Sequence, residues 1–221
     1  MKPPLAKAGV LGGTFDPVHA GHLAMAQAAA RACGLERIYF VPAPNPWHRP
    51  APSASYPDRF AMLALALARH PRWMPLAVPD HPRRPTYALD QVDWIERWLT
   101  AQGRRERLHW ILGADAFLTL PTWRHYRQLL RRCDFVVLAR AGIPLEQVLA
   151  TLPRSALVRV EAQRVQLAGG GQLHWLGRFS SPASSTRLRA RPAGAQAAHL
   201  LPTAVLHYAR RAGLYGYGQS L

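Results

Sequence analysis

The sequence predicts an α/β domain, a doubly wound and mainly parallel sheet with helices on both faces. Three observations carry that expectation. Short apolar or β-branched runs alternate with helical stretches along most of the chain, and such alternation builds βαβ units. Residues 6–41 already complete one unit of strand, turn, helix and strand. Of the 221 residues, 49% are hydrophobic, enough to bury a sizeable core in one domain spanning 1–221.

Taken in order, residues 6–11 (AKAGVL) read as a short buried strand and 21–33 (GHLAMAQAAARAC) as an Ala-rich helix stopped by Gly34. Residues 37–41 (RIYFV) are β-branched and aromatic, a second strand. A Pro-rich loop over 42–57 follows, of a length that loops reach when they are mobile or functional. A helix is expected over 58–69. A strand over 73–78 belongs at a sheet edge because of Pro75. Thr86 suits the N-cap of a helix over 87–102, where Leu89, Val92, Ile95 and Leu99 share a face and Gly103 closes the element. Strand 107–112 (RLHWIL), helix 125–132 and strand 134–139 (DFVVLA) make a further βαβ step. Beyond it come a short helix over 145–152, strand material over 156–167 and 173–176 around three glycines at 169–171, a helix from 184 to 191, and a closing helix over 203–212 ended by Gly213.

Composition excludes several classes. No apolar run approaches the roughly 18 residues a membrane span needs, and the first fifteen residues lack the apolar centre and cleavage site of a signal peptide. Cys33 and Cys133 are too few for a disulfide framework or a zinc site, so a cytoplasmic protein with reduced thiols is expected. The formal charge of +16 invites a nucleic-acid reading, but only Lys2 and Lys7 among the 28 basic residues are lysine. Such a bias reflects GC-rich coding. The arginines are scattered, with no basic–aromatic strip of the kind that stacks bases. A positive field that draws in small anions suits the same numbers.

One stretch concentrates chemistry: GGTFDPVHAGHL, residues 12–23. It lies where the first strand meets the first helix, the place at which open parallel sheets hold ligands. Gly12 and Gly13 leave the backbone bare and free to take positive φ, and Pro17 pre-sets φ near the helix start. The helix N-terminus offers free N–H groups and partial positive charge to an anion. His19 and His22, three apart, share a face of its first turn. A zinc pair would show His at i and i+4 with Glu between, and HAGH has neither. The chain also lacks both GxGxxG and GxxxxGK[ST], so neither a dinucleotide-dependent oxidoreductase nor a P-loop NTPase is supported.

GGTFDPVHAGH resembles the phosphate-binding signature of the nucleotidyltransferase superfamily, which carries an H-x-G-H turn after its first strand. That superfamily also has a late motif, roughly [IV]-S-S-T-x-[IL]-R, that opens a helix under the same phosphates. Here it reads ASSTRLR (183–189), with Ala183 at the apolar position. Its hydroxyls, N–H groups and arginine fork are suitable phosphate donors in their own right. NPWHRP (45–50), PTYALD (85–90), GADAFLTLPTW (113–123) and LPTAVLHYARRAGLY (201–215) resemble bacterial nicotinate-mononucleotide adenylyltransferases in particular. The likeness runs over nearly the whole chain and is weakest between 145 and 181.

The resemblance implies a Rossmann-like fold and adenylyl transfer from ATP to nicotinate mononucleotide. His19, His22 and Arg189 are then the catalytic residues. Gly12, Gly13, Thr14, Phe15, Gly113, Asp115, Ser184, Ser185 and Thr186 join them around ATP, with Asp115 on ribose hydroxyls. The helix start at Thr86 and Tyr87 and the turn after residues 121–123 receive the nicotinate carboxylate, while Trp123 stacks on the pyridine ring. His48 and Arg49 on the Pro-rich loop are placed to close over the phosphates as a lid would, and Trp47 and His48 count among the residues that bind nicotinate mononucleotide. Mg²⁺ arrives with ATP. No nucleic-acid or membrane partner is expected, and monomer and homodimer both stay open. The nearest rival acceptors are nicotinamide mononucleotide and phosphopantetheine.

Overall fold

The structure, a computed structural model, describes residues 5–44, 51–80, 85–140, 142–181, 183–190 and 199–217. Its strands are β1 (Ala6–Gly13), β2 (Arg37–Pro42), β3 (Trp73–Pro75), β4 (Glu106–Gly113), β5 (Asp134–Leu138), β6 (Leu157–Val160), β7 (Arg164–Leu167) and β8 (Gln172–Leu176). The helices are α1 (Ala20–Cys33), α2 (Tyr56–Leu67), α3 (Ala88–Ala101), α4 (Ala114–Leu118), α5 (Tyr126–Arg132), α6 (Leu145–Ala150), α7 (Ser185–Ala190) and α8 (Thr203–Arg211). The strands form one sheet in the order β3-β2-β1-β4-β5-β8-β7-β6. The pairs β1–β4, β4–β5 and β5–β8 are parallel, and β8–β7 and β7–β6 antiparallel. The expected mainly parallel α/β fold is therefore what the chain adopts, with a meander closing one side.

The chain folds into two compact units. The first comprises Met1–Leu11, Met25–Ile38 and Thr86–Ser180. β5 is buried at every position, and Leu108, Trp110 and Ile111 of β4 are buried beside it, as strands covered on both faces require. At the amino end of β5, Asp134 accepts from Arg107 at 2.6 Å and from the Gln172 N–H at 2.9 Å, with His109 Nε2 at 3.5 Å. Gly171 ends the three-glycine turn where a Cβ would drive into the Leu130 carbonyl oxygen and stand 3.2 Å from that of Cys133. Gly171→Ala should therefore cost about 1–3 kcal/mol, as overpacking against rigid groups does, read as a shift in urea midpoint.

His109 and His174 face each other in this unit, with ring centroids 5.9 Å apart. Burial holds the His109 imidazole below its ordinary range, against the pull of Asp134. Burial, then repulsion from His109 and Arg164, pushes His174 down to about 4. The unfolded chain therefore binds these protons first as pH falls, so stability declines below the ordinary value of 6.5 and the His174 part of the loss is complete by about 4. Urea midpoints measured stepwise across that window should fall, and His174→Gln should flatten the decline.

The second unit comprises Gly12–Ala24, Tyr39–Pro85 and Ser181–Leu221. Ser55 caps α2, its hydroxyl accepting from the Asp58 N–H, and Tyr208 of α8 donates to Asp58 at 2.8 Å. Phe15, Phe40 and Leu63 are among its fully buried side chains. β3, three residues at the sheet edge, is shorter than the strand expected over 73–78, although the Leu76 N–H just past Pro75 still donates to the Phe40 carbonyl of β2 at 2.8 Å.

Candidate active site

The glycine–histidine turn lies wholly in the second unit. Gly12 and Gly13 belong to β1 instead of the turn: the Ala43 N–H donates to the Gly13 carbonyl at 2.8 Å, which continues the ladder. Neither glycine takes positive φ. Phe15 does, at φ 50°, a conformation that costs a bulky residue of order 1–3 kcal/mol and persists only where packing enforces it. The enforcement is visible. The Phe15 side chain is 1% exposed, 6.0 Å from the Phe40 ring and 4.9 Å edge-on from His22. Phe15 can thus offer a ligand only its backbone.

His19 precedes α1, and its carbonyl accepts from the His22 N–H at 2.9 Å, which makes it the N-cap. The two imidazoles stack with centroids 3.8 Å apart and planes 21° from parallel. The His19 N–H donates to His22 Nδ1 at 3.3 Å. That bond leaves the proton of a neutral His22 ring on Nε2, the tautomer that donates away from the backbone. A Cβ on Gly21 would stand 2.8 Å from Ser181 Oγ and 3.0 Å from the His19 ring, so the glycine of HAGH is what lets His19 fold there. Two ring donors side by side at a helix N-terminus suit an anion with several oxygens.

The late motif meets this turn within the same unit. Ser185 Oγ donates to the Pro17 carbonyl at 3.1 Å, so this hydroxyl braces α7 against the turn. Arg189 Nη1 donates to the Asp16 carbonyl at 2.6 Å and lies 3.7 Å from the Asp16 carboxylate. Ser184 is half-buried and Thr186 exposed. The structure thus brings together Gly12 through His22 and Ser184 through Arg189. Trp47, His48 and Arg49 lie outside the described residues.

Three residues that the sequence reading passed over hold this arrangement. Asp16, 3% exposed, accepts from the Ser53 and Ala54 N–H groups at 2.8 and 3.1 Å and from the Tyr215 hydroxyl at 2.6 Å. Arg59, 1% exposed, donates to the carbonyls of Thr14, Ala43, Pro44 and Ala54 at 2.7 to 3.3 Å. Burial opposes its charge, and Asp16 offsets this. The third is Tyr215. A buried charge in a motif loop and an arginine in an apolar helix (DRFAML) were the available signals for the first two. Tyr215 ends the LPTAVLHYARRAGLY stretch, whose resemblance assigned it no role.

The remaining expected residues belong to the first unit. α3 begins one residue later than expected: Tyr87, not Thr86, is its N-cap, and the Asp90 carboxylate accepts from the Tyr87 N–H at 2.9 Å, the acid at N3 replacing a hydroxyl cap. Arg124 lies 5.2 Å from the centroid of the Tyr87 ring. Trp123 donates through Nε1 to Thr119 Oγ1 at 3.1 Å, which fixes its ring. Gly113 ends β4 and caps α4, where a Cβ would collide with Asp115 Oδ1. Asp115 is half exposed, 3.6 Å from Arg140. A cleft of about 670 Å³, whose walls include Arg140, Ile143, Trp175 and Phe179, opens beyond the carboxyl ends of β5 and β8. Among the described residues no group of three or more His, Cys, Asp or Glu could hold a metal ion, and no helix is long and apolar enough to cross a membrane.

Comparison with known proteins bears on this geometry. The sequence model of the cytidylyltransferase-like family matches residues 10–191. The chain is 38% identical to a protein of Gloeobacter violaceus named probable nicotinate-nucleotide adenylyltransferase, over 94% of this chain and 95% of that one. It is 36% identical to a protein of the same name from Pseudomonas syringae pv. tomato, over 94% and 92%. In fold it is similar to Plasmodium falciparum nicotinic acid mononucleotide adenylyltransferase complexed with NaAD, with a TM-score of 0.72 at 14% identity over 96% of this chain and 98% of that one.

Proposed function

The chain belongs to the cytidylyltransferase-like family, and from that premise we propose that it transfers the adenylyl group of ATP to nicotinate mononucleotide. The products are nicotinate adenine dinucleotide and pyrophosphate, a step of NAD biosynthesis. The carrying observation is the stacked His19–His22 pair at the α1 N-terminus, braced by Ser185 and flanked by Arg189.

A phosphate oxygen of the mononucleotide attacks the α-phosphorus of ATP in line. The new P–O bond forms as the bond from the α-phosphorus to the bridging oxygen breaks, and pyrophosphate leaves with the electron pair. No enzyme nucleophile is needed, so rate comes from positioning and from neutralising charge. His19, His22, Thr14, Thr186 and Arg189 serve the ATP phosphates, with the backbone of Gly12, Gly13, Phe15, Ser184 and Ser185 around them. Gly113 and Asp115 take the ribose. Thr86, Tyr87 and Trp123 receive the nicotinate ring and its carboxylate, and Trp47 and His48 are further residues proposed to bind the mononucleotide. The reading is supported by residue type: a carboxylate is favoured at the N-terminus of α3, and a fixed indole suits a flat, electron-poor ring. Mg²⁺ enters as part of the Mg·ATP substrate, keeping several waters and few protein ligands.

The test is product analysis with ATP and Mg²⁺, offering nicotinate mononucleotide, nicotinamide mononucleotide and phosphopantetheine separately. Dinucleotide forming fastest from the nicotinate compound is the expected result. Equal or reversed preference would overturn the roles given to Thr86 and Trp123, and no turnover with any acceptor would overturn the activity.

A further inference from the structure

The chain past α8 returns to the phosphate turn. Gly213, at φ 63°, ends the helix, and residues 214–216 make one 3₁₀ turn. Tyr215 within it takes φ 57°, a strained conformation for a side chain of that size. Its hydroxyl nevertheless donates to Asp16 Oδ1 at 2.6 Å. Two residues on, the Tyr217 hydroxyl donates to the Leu188 carbonyl at 3.4 Å, immediately before Arg189. The same segment thus reaches the Asp16 carboxylate, beside the Arg189 guanidinium, and the backbone one residue before Arg189.

The Arg189 geometry calls for an explanation. A guanidinium beside a carboxylate ordinarily closes into a bidentate pair. Here Arg189 Nη1 donates to the Asp16 carbonyl oxygen at 2.6 Å while the nearest carboxylate oxygen stays 3.7 Å away. The Asp16 carboxylate is already engaged. The Ser53 N–H holds Oδ2, and the Ala54 N–H and the Tyr215 hydroxyl hold Oδ1. With its plane fixed by three donors, the carboxylate does not turn to Arg189. The arginine is anchored on a neutral oxygen and meets the carboxylate only as a long ion pair at 3.7 Å, so part of its charge is left for another anion.

We propose that Tyr215 is a positioning residue for adenylyl transfer, engaging Asp16 so that Arg189 stays available to the phosphates of ATP. The proposal rests on the reading of Arg189 as a phosphate ligand. Without the hydroxyl, one lone pair on Oδ1 is released, the carboxylate rotates toward Arg189, and the new ion pair withdraws that charge from substrate.

Tyr215→Phe removes the hydroxyl and little else. At a temperature well below melting, the KM for Mg·ATP should rise about tenfold, the scale of one hydrogen bond to a charged group. The KM for nicotinate mononucleotide should stay unchanged. The melting temperature should move little, because Arg189 replaces the lost donor. In an Arg189→Ala background the same change should leave the KM for Mg·ATP where it is, since the effect travels through Arg189. A Phe variant that fails to fold, or loses melting temperature with unaltered kinetic constants, overturns the proposal, as do additive effects in the double variant. Should Arg189→Ala alone leave Mg·ATP binding intact, the reading of Arg189 falls with it. An effect of Arg189→Ala with none from Tyr215→Phe removes only the role of Tyr215.

Discussion

Replacing His22 with alanine should lower turnover about a hundredfold, the usual consequence of removing one preorganised donor from developing charge. The ring is held from three sides: by the His19 N–H on Nδ1, by the stacked His19 imidazole at 3.8 Å, and by the Phe15 edge at 4.9 Å. A donor fixed in this way needs no reorganisation as charge builds on the phosphates. Its removal is gentle on the fold, because His22 is only half-buried and its backbone sits in the first turn of a 14-residue helix. Truncating an imidazole at such a position should change stability by about 1 kcal/mol or less. His19→Ala should also be slow, and the double variant should lose far less than the product of the two single losses, since the rings act as one unit. The measurement is single-turnover rate with saturating Mg·ATP and nicotinate mononucleotide, beside thermal melting. A normal rate from folded His22→Ala protein would remove the histidines from the mechanism.

The histidine pair was legible in the sequence because H-x-G-H packs its chemistry into four consecutive residues. The parallel core was legible for a related reason: strands buried on both faces, such as DFVVL in β5, read as apolar runs without alternation. What escaped was set by long-range contact. Arg189 and Tyr215 reach Asp16 from 173 and 199 residues away, and no local pattern announces such a pairing. Arg59 was hidden by composition as well, one arginine among many in a chain of formal charge +16. Gly12 and Gly13 illustrate a different failure. Glycine permits positive φ without requiring it; the ladder bond from Ala43 kept Gly13 extended, and the left-handed residue became Phe15, which its local sequence disfavours but its packing imposes. At Thr86 and Tyr87 the one-residue offset has a similar origin, since the acid at Asp90 satisfied an N–H that a threonine hydroxyl was expected to serve.

Arg59 should be the most sensitive structural position of the second unit. Its guanidinium is 1% exposed and collects the carbonyls of Thr14, Ala43, Pro44 and Ala54. Three of those carbonyls belong to the segments that leave β1 and β2, so one side chain sets how both enter the site. Replacement by alanine takes a donor from four carbonyls, one of them in a buried bond and three in part-buried ones, leaves a cavity, and removes a cation that offsets the buried Asp16 charge. Breaking a buried charged network in this way costs about 3–5 kcal/mol, which for a domain of this length corresponds to a loss of about 10 °C in melting temperature. Arg59→Met separates volume from charge. It fills the space yet donates to none of the carbonyls, so it should recover only the cavity portion of the loss. Arg59→Lys supplies charge without the fork that spans several oxygens, and it too should fall well short of the native protein. A methionine variant as stable as the native chain would mean that the four carbonyls find other donors, and that apolar packing alone holds the segments leaving β1 and β2 in place.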